Sequence, residues 1–206
     1  MWCMTGSYVS LTSVSFGYNH IQVLNDFTVK MRAESATAVV GANGCGKSTV
    51  LGLIAGVLKP SAGTVDCASE VALAPQHSQV AESFPITVAE VVAMGRWRKL
   101  GLLRPMTTDD RRIVDHWIRT LGLDPLRRRR IGELSGGQRQ RALVAQAFAQ
   151  QAPVVALDEP TTGMDDASKK QVINAIRELV ATGHTVVVAT HDPDLARACD
   201  HTVALP

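Results

Sequence analysis

Thr37-Ala38-Val39-Val40-Gly41-Ala42-Asn43-Gly44-Cys45-Gly46-Lys47-Ser48-Thr49 is the stretch on which the fold turns. Its first four residues make a short apolar, β-branched run ending at a glycine, the pattern of a buried strand feeding a loop. Ser48 to Leu58 then carries helical spacing and stops before Lys59-Pro60. Between strand and helix, Gly41 to Thr49 satisfies G-x-x-x-x-G-K-[ST]. Glycines open backbone conformations closed to other residues and let N–H groups approach phosphate oxygens. The helix start turns its positive end toward the same oxygens. Lys47 brings a mobile cation for the β- and γ-phosphates, and Ser48 a hydroxyl oxygen for Mg²⁺. A strand, a phosphate loop and a helix are therefore predicted here.

The same alternation runs outward on both sides. Val9 to Val14, Phe27 to Met31 and Val71 to Ala74 read as strands, as do Val154 to Leu157 and Thr185 to Ala189. Ala167 to Val180 and Asp194 to Ala198 read as helices. Strands alternating with helices predict an α/β fold with a parallel sheet covered on both faces. From Thr87 to Ile131 the pattern turns helical. Val88, Val91 and Val92 suggest one short helix, and Ile113, Trp117, Ile118 and Leu121 a second, with Asp109-Asp110 suiting its dipole. This stretch is expected to be a lobe inserted between two βα units.

Composition agrees with one compact domain. The chain has 206 residues, 46% of them hydrophobic and 19% charged, which excludes wholesale disorder. A formal net charge of +2 gives no general reason to expect nucleic acid as a partner. The run Arg127-Arg128-Arg129-Arg130 is expected to be a solvated helix end or loop. Cys3, Cys45, Cys67 and Cys199 are scattered, which predicts reduced thiols in a cytosolic protein rather than disulfides or a zinc knuckle. No secretory signal is expected at Met1 to Thr5, and no apolar run approaches the length of a membrane span.

Asp158-Glu159 follow the apolar run that ends at Leu157. Carboxylates at the end of a parallel strand face the crevice where ligands of open α/β sheets bind. They are costly near a buried strand unless they meet a cation or a proton. Asp158 is expected to hold the Mg²⁺ shell and Glu159 to polarise the attacking water.

Leu134-Ser135-Gly136-Gly137-Gln138 lies between the phosphate loop and the acidic pair, ahead of a helix. With it the chain resembles the ATP-binding subunit of ABC transporters, whose signature this pentapeptide matches. The resemblance implies a P-loop NTPase core with a mostly parallel sheet, N-terminal antiparallel strands and an inserted helical subdomain. Residues 1–77 and 136–206 would form the nucleotide-binding core and 78–135 the subdomain. It further implies a head-to-tail homodimer, each ATP clamped between one chain's phosphate loop (Gly41, Ala42, Asn43, Gly44, Cys45, Gly46, Lys47, Ser48, Thr49) and the other's signature. Tyr18 matches the aromatic that stacks on adenine. Gln76 matches the glutamine that reaches Mg²⁺ and the attacking water. His191 matches the histidine that contacts the γ-phosphate and orients Glu159, and Asp165 lies in the loop that crosses the dimer interface. Glu159, His191 and Gln76 are thus the implied catalytic set, and Ser48, Gln76 and Asp158 the Mg²⁺ ligands.

Thr87-Val88-Ala89-Glu90-Val91-Val92-Ala93-Met94-Gly95-Arg96-Trp97 is similar to a segment of the zinc and manganese importer ATPases; iron-siderophore and cobalamin importers share its Gly-Arg step. Multi-span permease subunits, and through them an extracytoplasmic solute-binding protein, are the implied partners, with the chain at the cytoplasmic face of the membrane. Val88, Val91, Val92 and Trp97 are expected either to line a groove for the permease or to form the lobe's own core. Two features depart from the family. Cys45 stands where Ser or Ala is commoner, and a thiol beside Lys47 and a helix start is expected to be reactive. The sequence also ends at Pro206, so the C-terminal regulatory domains of some importers are expected to be absent. A separate-subunit exporter and a soluble ABC ATPase acting on ribosomes or DNA are the competing readings, as is a small-molecule kinase, which has no use for the signature.

Overall fold

The computed structural model describes residues 9–19, 21–67, 70–76, 85–101 and 104–205. Met1 to Thr5 with Cys3, residues 78–84 at the expected opening of the inserted lobe, and Pro206 lie outside them. Two compact units divide the chain. One comprises Met1–Leu73, Ala152–Asp158 and Ile176–Pro206, the other Ala74–Gln151 and Glu159–Ala175.

In the first unit, β1 (Val9–Tyr18), β2 (Ile21–Met31) and β4 (Ala62–Cys67) form an antiparallel sheet in the order β2-β1-β4. The first two strands run longer than the alternation predicts. Register shifts between Leu11 and Val14 and again near Phe16 break the period of two, with Ser13 (φ 50) and Asp26 (φ 49) in left-handed conformations. Hydroxyls fill the gaps: Ser13 N donates to Thr28 Oγ1 at 2.8 Å and Asp26 N to Ser15 Oγ at 3.1 Å.

The second sheet has five strands in the order β5-β6-β7-β3-β8, formed by β3 (Ala36–Val40), β5 (Val71–Ala74), β6 (Val154–Asp158), β7 (Thr185–Ala189) and β8 (His201–Ala204). β6, β7, β3 and β8 are parallel, as the alternation with helices predicts. Register decides what comes together. Asp158 pairs with Ala189 and Ala189 with Val39, so the C-terminal ends of β6, β7 and β3 lie abreast. α1 (Lys47–Ile54) packs on β6 and β7, and its Val50, Leu51 and Leu53 join Leu11, Leu24, Val39 and Val187 in one core. Each such side chain contributes about 1.5–3 kcal/mol on burial. The helix stops four residues before the expected Leu58. Gly56 takes φ +69, and the Gly56 and Val57 amides donate to Leu53 O at 3.1 Å and Gly52 O at 2.9 Å, a Schellman ending.

The second unit holds α2 (Val88–Met94), α3 (Trp97–Leu100), α4 (Thr108–Thr120), α5 (Gly136–Ala149) and the first part of α6 (Asp166–Ala181). Val88, Val91, Val92, Val114, Trp117, Ile118 and Phe148 are buried, whereas Trp97 is 48% exposed. The three valines are therefore lobe core, and of the four residues weighed for a groove only Trp97 reaches the surface. Capping boxes start both predicted helices, Thr87 with Glu90 and Thr107 with Asp110. The arginine run has a structural use as well: Arg127 O and Arg129 O accept from Ala89 N and Val88 N, closing the start of α2. Among the described residues no helix is long and apolar enough to cross a membrane.

Candidate functional site

The phosphate loop leaves β3 at Gly41 and enters α1 at Lys47. Gly44 (φ +84) and Gly46 (φ +104) sit in the left-handed region, where a side chain is strained. A Cβ on Gly46 would come within 2.8 Å of Val23, whereas one on Gly44 would meet none of the described residues within 4 Å, so among them the loop is tight against β2 and open outward. α1 has no side-chain cap at Gly46 and no acidic residue in its first turn. Its leading amides are thus available to an anion. Lys47 is buried, its Nζ donating to Gly41 O and Ala42 O, both at 2.9 Å. That places a cation along the loop's inner side. Ser48 is exposed while Thr49 is buried, so Ser48 alone of the two hydroxyls faces outward. Cys45 is half-buried against the core cluster, its Sγ 2.6 Å from where a Gly41 Cβ would stand.

The strand register brings two further predicted residues to the same edge of the first unit. Asp158 ends β6 and is 8% exposed. His191 follows β7 through Thr190, whose amide donates to Val39 O at 3.1 Å, and is itself exposed. Asp192 next to it caps α7 (Pro193–Ala198), accepting from Asp194 N at 3.0 Å. Tyr18 closes β1, 48% exposed, with Phe16 edge-on to it at 4.9 Å. Ser48 and Asp158 supply hard oxygen donors of the kind Mg²⁺ takes alongside phosphate oxygens and water. The open amides, the lysine and these oxygens fit a nucleoside triphosphate with its Mg²⁺.

The second unit carries the rest. Glu159 follows Asp158 in the chain, is buried, and holds φ +47, an unusual conformation for a non-glycine residue. Ser135 caps α5, its Oγ accepting from Gln138 N at 3.3 Å while Gln138 Oε1 accepts from Ser135 N at 3.1 Å. Leu134 is buried and Ser135 and Gly136 are exposed. Among the described residues nothing lies within 4 Å of the missing Cβ of Gly136, whereas a Cβ on Gly137 would stand 2.5 Å from Gly163 O. The two signature glycines thus divide the work: one leaves the helix start bare, the other lets it pack on the 159–165 loop. Gln76 lines a cleft of about 250 Å³ with Gly136, Arg139, Gln140, Leu143, Thr162 and Gly163, so it stands beside the signature helix. Asp165 caps α6: Oδ1 accepts from Ser168 N at 2.8 Å and Oδ2 from Ser168 Oγ at 3.2 Å. These bonds hold its carboxyl below the usual carboxylate range.

Sequence reasoning left out Gly163, Arg139 and Gln140 as neighbours of Gln76. The Ser-x-x-Gln spacing of a capping box was the available signal for the geometry at Ser135.

Comparison with known proteins bears on this arrangement. Residues 24–162 match the family model described as ABC transporter. The chain is 39% identical, over 96% of its length and 80% of the relative's, to the manganese transport system ATP-binding protein MntA of Synechocystis. It is 36% identical to the chelated iron transport system protein YfeB of Yersinia pestis, over 96% of this chain and 70% of that one. Against the zinc uptake system ATP-binding protein ZurA of Listeria innocua it is 34% identical, over 89% and 76%. Among solved structures it superposes on an inward-facing transporter described as an ABC transporter of metal-chelate type, with a TM-score of 0.84 and 30% identity over 98% of this chain and 80% of that one.

Proposed function

The chain belongs to the ABC transporter family, and on that premise we propose that it is the motor subunit of an importer of a divalent metal ion, zinc or manganese. As an ABC-type ATPase it hydrolyses ATP, and such ATPases dimerise and work with membrane permease subunits. The observation carrying the metal reading is the 39% identity, spanning nearly the whole chain, to a manganese transport ATP-binding protein. A zinc uptake relative and the segment from Thr87 to Trp97 support it. We place the chain at the cytoplasmic face of the membrane, with an extracytoplasmic solute-binding protein delivering the ion to the permease.

In this reading two copies face head to tail. The leading amides of α1 and Lys47 grip the β- and γ-phosphates, and Tyr18 stacks on the adenine. Ser48, Asp158 and Gln76 would hold Mg²⁺, which when bound neutralises phosphate charge and fixes the γ-phosphate. Glu159 accepts a proton from water as its oxygen bonds to the γ-phosphorus and the bond to the β–γ bridging oxygen breaks, releasing ADP and phosphate. His191 contacts the γ-phosphate and orients Glu159. The partner copy presents Ser135 and Gly136 at the bare start of α5, and Asp165 lies in the loop that crosses between copies. Catalysis here is positioning plus electrostatic stabilisation.

A second reading, import of chelated iron, is favoured by the similarity to YfeB and to an achromobactin transport ATP-binding protein of Dickeya dadantii. Uptake of radioactive manganese, zinc and siderophore-bound iron by cells lacking the chain decides between them. Loss of manganese or zinc uptake, restored by the wild-type chain and not by Lys47→Ala, is expected. Loss confined to siderophore-bound iron transfers the assignment to the second reading.

A further inference from the structure

Among the described residues of the second unit Arg96 is the largest fully buried side chain, 1% exposed. It stands at the joint between α2 and α3. Its guanidinium reaches four acceptors: Nε donates to Asp110 Oδ1 at 2.9 Å, and Nη1 donates to Ala149 O at 2.8 Å, to Gln151 Oε1 at 3.2 Å and to Gln150 O at 3.4 Å. Ala149 is the last residue of α5. Asp110 is also committed at its other oxygen, which accepts from Thr107 N at 3.1 Å and Thr107 Oγ1 at 2.6 Å at the start of α4. One cation therefore ties the α2–α3 joint, the N-terminus of α4 and the C-terminus of α5. Gly95 tightens the same joint: a Cβ there would stand 2.3 Å from Gln146 O, in the last turn of α5.

Stability alone does not account for this residue. A buried ion pair roughly breaks even against apolar side chains of similar volume. Arg96 also leaves Nη2 buried without a hydrogen-bond partner among the described residues, a cost an apolar residue would not carry. What the planar fork supplies is a fixed position. α5 is a 14-residue rod, about 21 Å long at 1.5 Å per residue. Its far end is Ser135-Gly136. Holding its last carbonyl, with Gly95 close against Gln146 O, anchors that end of the rod, and the cation at its negative end complements the dipole whose positive end lies at the signature.

We propose that Arg96, braced by Asp110, is a positioning residue that sets where the signature end of α5 stands, and so acts on the reaction only through the partner copy's ATP. This rests on the reading that the signature works in trans. It predicts that Arg96 matters for ATP-driven pairing and not for ATP binding to a single chain, since the phosphate loop belongs to the other unit.

The test uses the full chain in a Glu159→Gln background, comparing the parent with Arg96→Lys, which keeps the charge and loses the fork. Fluorescent ATP titration at dilutions where the chain is monomeric is expected to give unchanged affinity. ATP-induced dimerisation, followed by light scattering, is expected to weaken between about tenfold and a hundredfold, the scale of a misplacement of about 1 Å. If Arg96→Lys does not fold, Arg96→Met with Asp110→Leu, which removes both buried charges, is read in the same assay with the same expectation. Equal dimerisation of parent and variant, or a parallel fall in monomer affinity, overturns the proposal. A parent that stays monomeric with ATP overturns the reading in trans, and this inference with it.

Discussion

Gly137 lies against Gly163 so closely that a Cβ on the first would stand 2.5 Å from the carbonyl oxygen of the second. Gly136, one residue earlier, meets none of the described residues within 4 Å at the same position. Alanine at the two sites should therefore do different things. Gly137→Ala forces α5 away from the 159–165 loop and should lower stability by about 1–3 kcal/mol in urea unfolding. Gly136→Ala should change stability by less than about 0.5 kcal/mol, as surface substitutions do, yet lower ATP turnover by crowding the face we propose meets the partner copy. If Gly136→Ala hydrolyses ATP at the wild-type rate, that face has no role in the reaction.

Glu159 is buried, follows the end of β6, and holds a left-handed backbone. Such a conformation persists where the surroundings impose it, as they do at functional sites. Glu159→Gln keeps the shape and removes the proposed base. ATP affinity should be retained and turnover should fall about 10²–10⁴-fold, with an ATP-bound dimer accumulating on a sizing column. Turnover within a factor of two of wild type removes Glu159 from the base role.

Cys45 packs its sulfur onto the Gly41 backbone inside the phosphate loop. A bulky group on that sulfur has no room on the inner side and must push outward, into the space assigned to phosphate. A maleimide should abolish most ATPase activity, with ATP slowing both labelling and inactivation. Cys45→Ala should be active and resistant. Full activity in protein shown by mass spectrometry to be modified at Cys45 contradicts the placement of the nucleotide.

How far these relationships were legible in the sequence depends on the range of the forces involved. The β3–loop–α1 unit was readable because its cause is local: a β-branched run, then glycines, then helical spacing. The cores of α2 and α4 were readable from the spacing of Val88, Val91 and Val92 and of Trp117 and Ile118. The end of α1 was misplaced because Gly56, which stops it through a positive φ, is less conspicuous than Lys59-Pro60. The extent of β1 and β2 was hidden by bulges at Ser13 and Asp26 that break the alternation. Arg96 read only as part of a Gly-Arg likeness. Its burial depends on Asp110 and on the end of α5, fourteen and more than fifty residues away, and no local pattern carries that. The places of the phosphate loop and of Asp158 at the end of β6 were legible from local pattern, whereas the cleft joining Gln76 to Arg139 and Gly163 arises only from packing.

Asp110 gives the helical unit a pH dependence of definite sign. The Thr107 hydroxyl bond, against the opposing effect of burial and with help from the Thr107 amide and Arg96, holds its carboxyl below the ordinary value of 3.8. A depressed carboxylate contributes stability that is fully present above the unfolded pKa and is lost as pH falls through the folded value. Asp110→Asn leaves Arg96 buried without its counter-charge, at a cost of about 3–5 kcal/mol at neutral pH. In urea unfolding the gap between wild type and Asp110→Asn should stay constant from neutral pH to about 5 and narrow below about 4, where the carboxyl of the unfolded chain takes up a proton that the folded one still resists. Glu90→Gln, exposed and bonded only within its own helix cap, should open a smaller gap. A gap at Asp110 that does not change between neutral pH and about 3 would mean that its charge is not what holds Arg96, and that hydrogen-bond geometry alone does so.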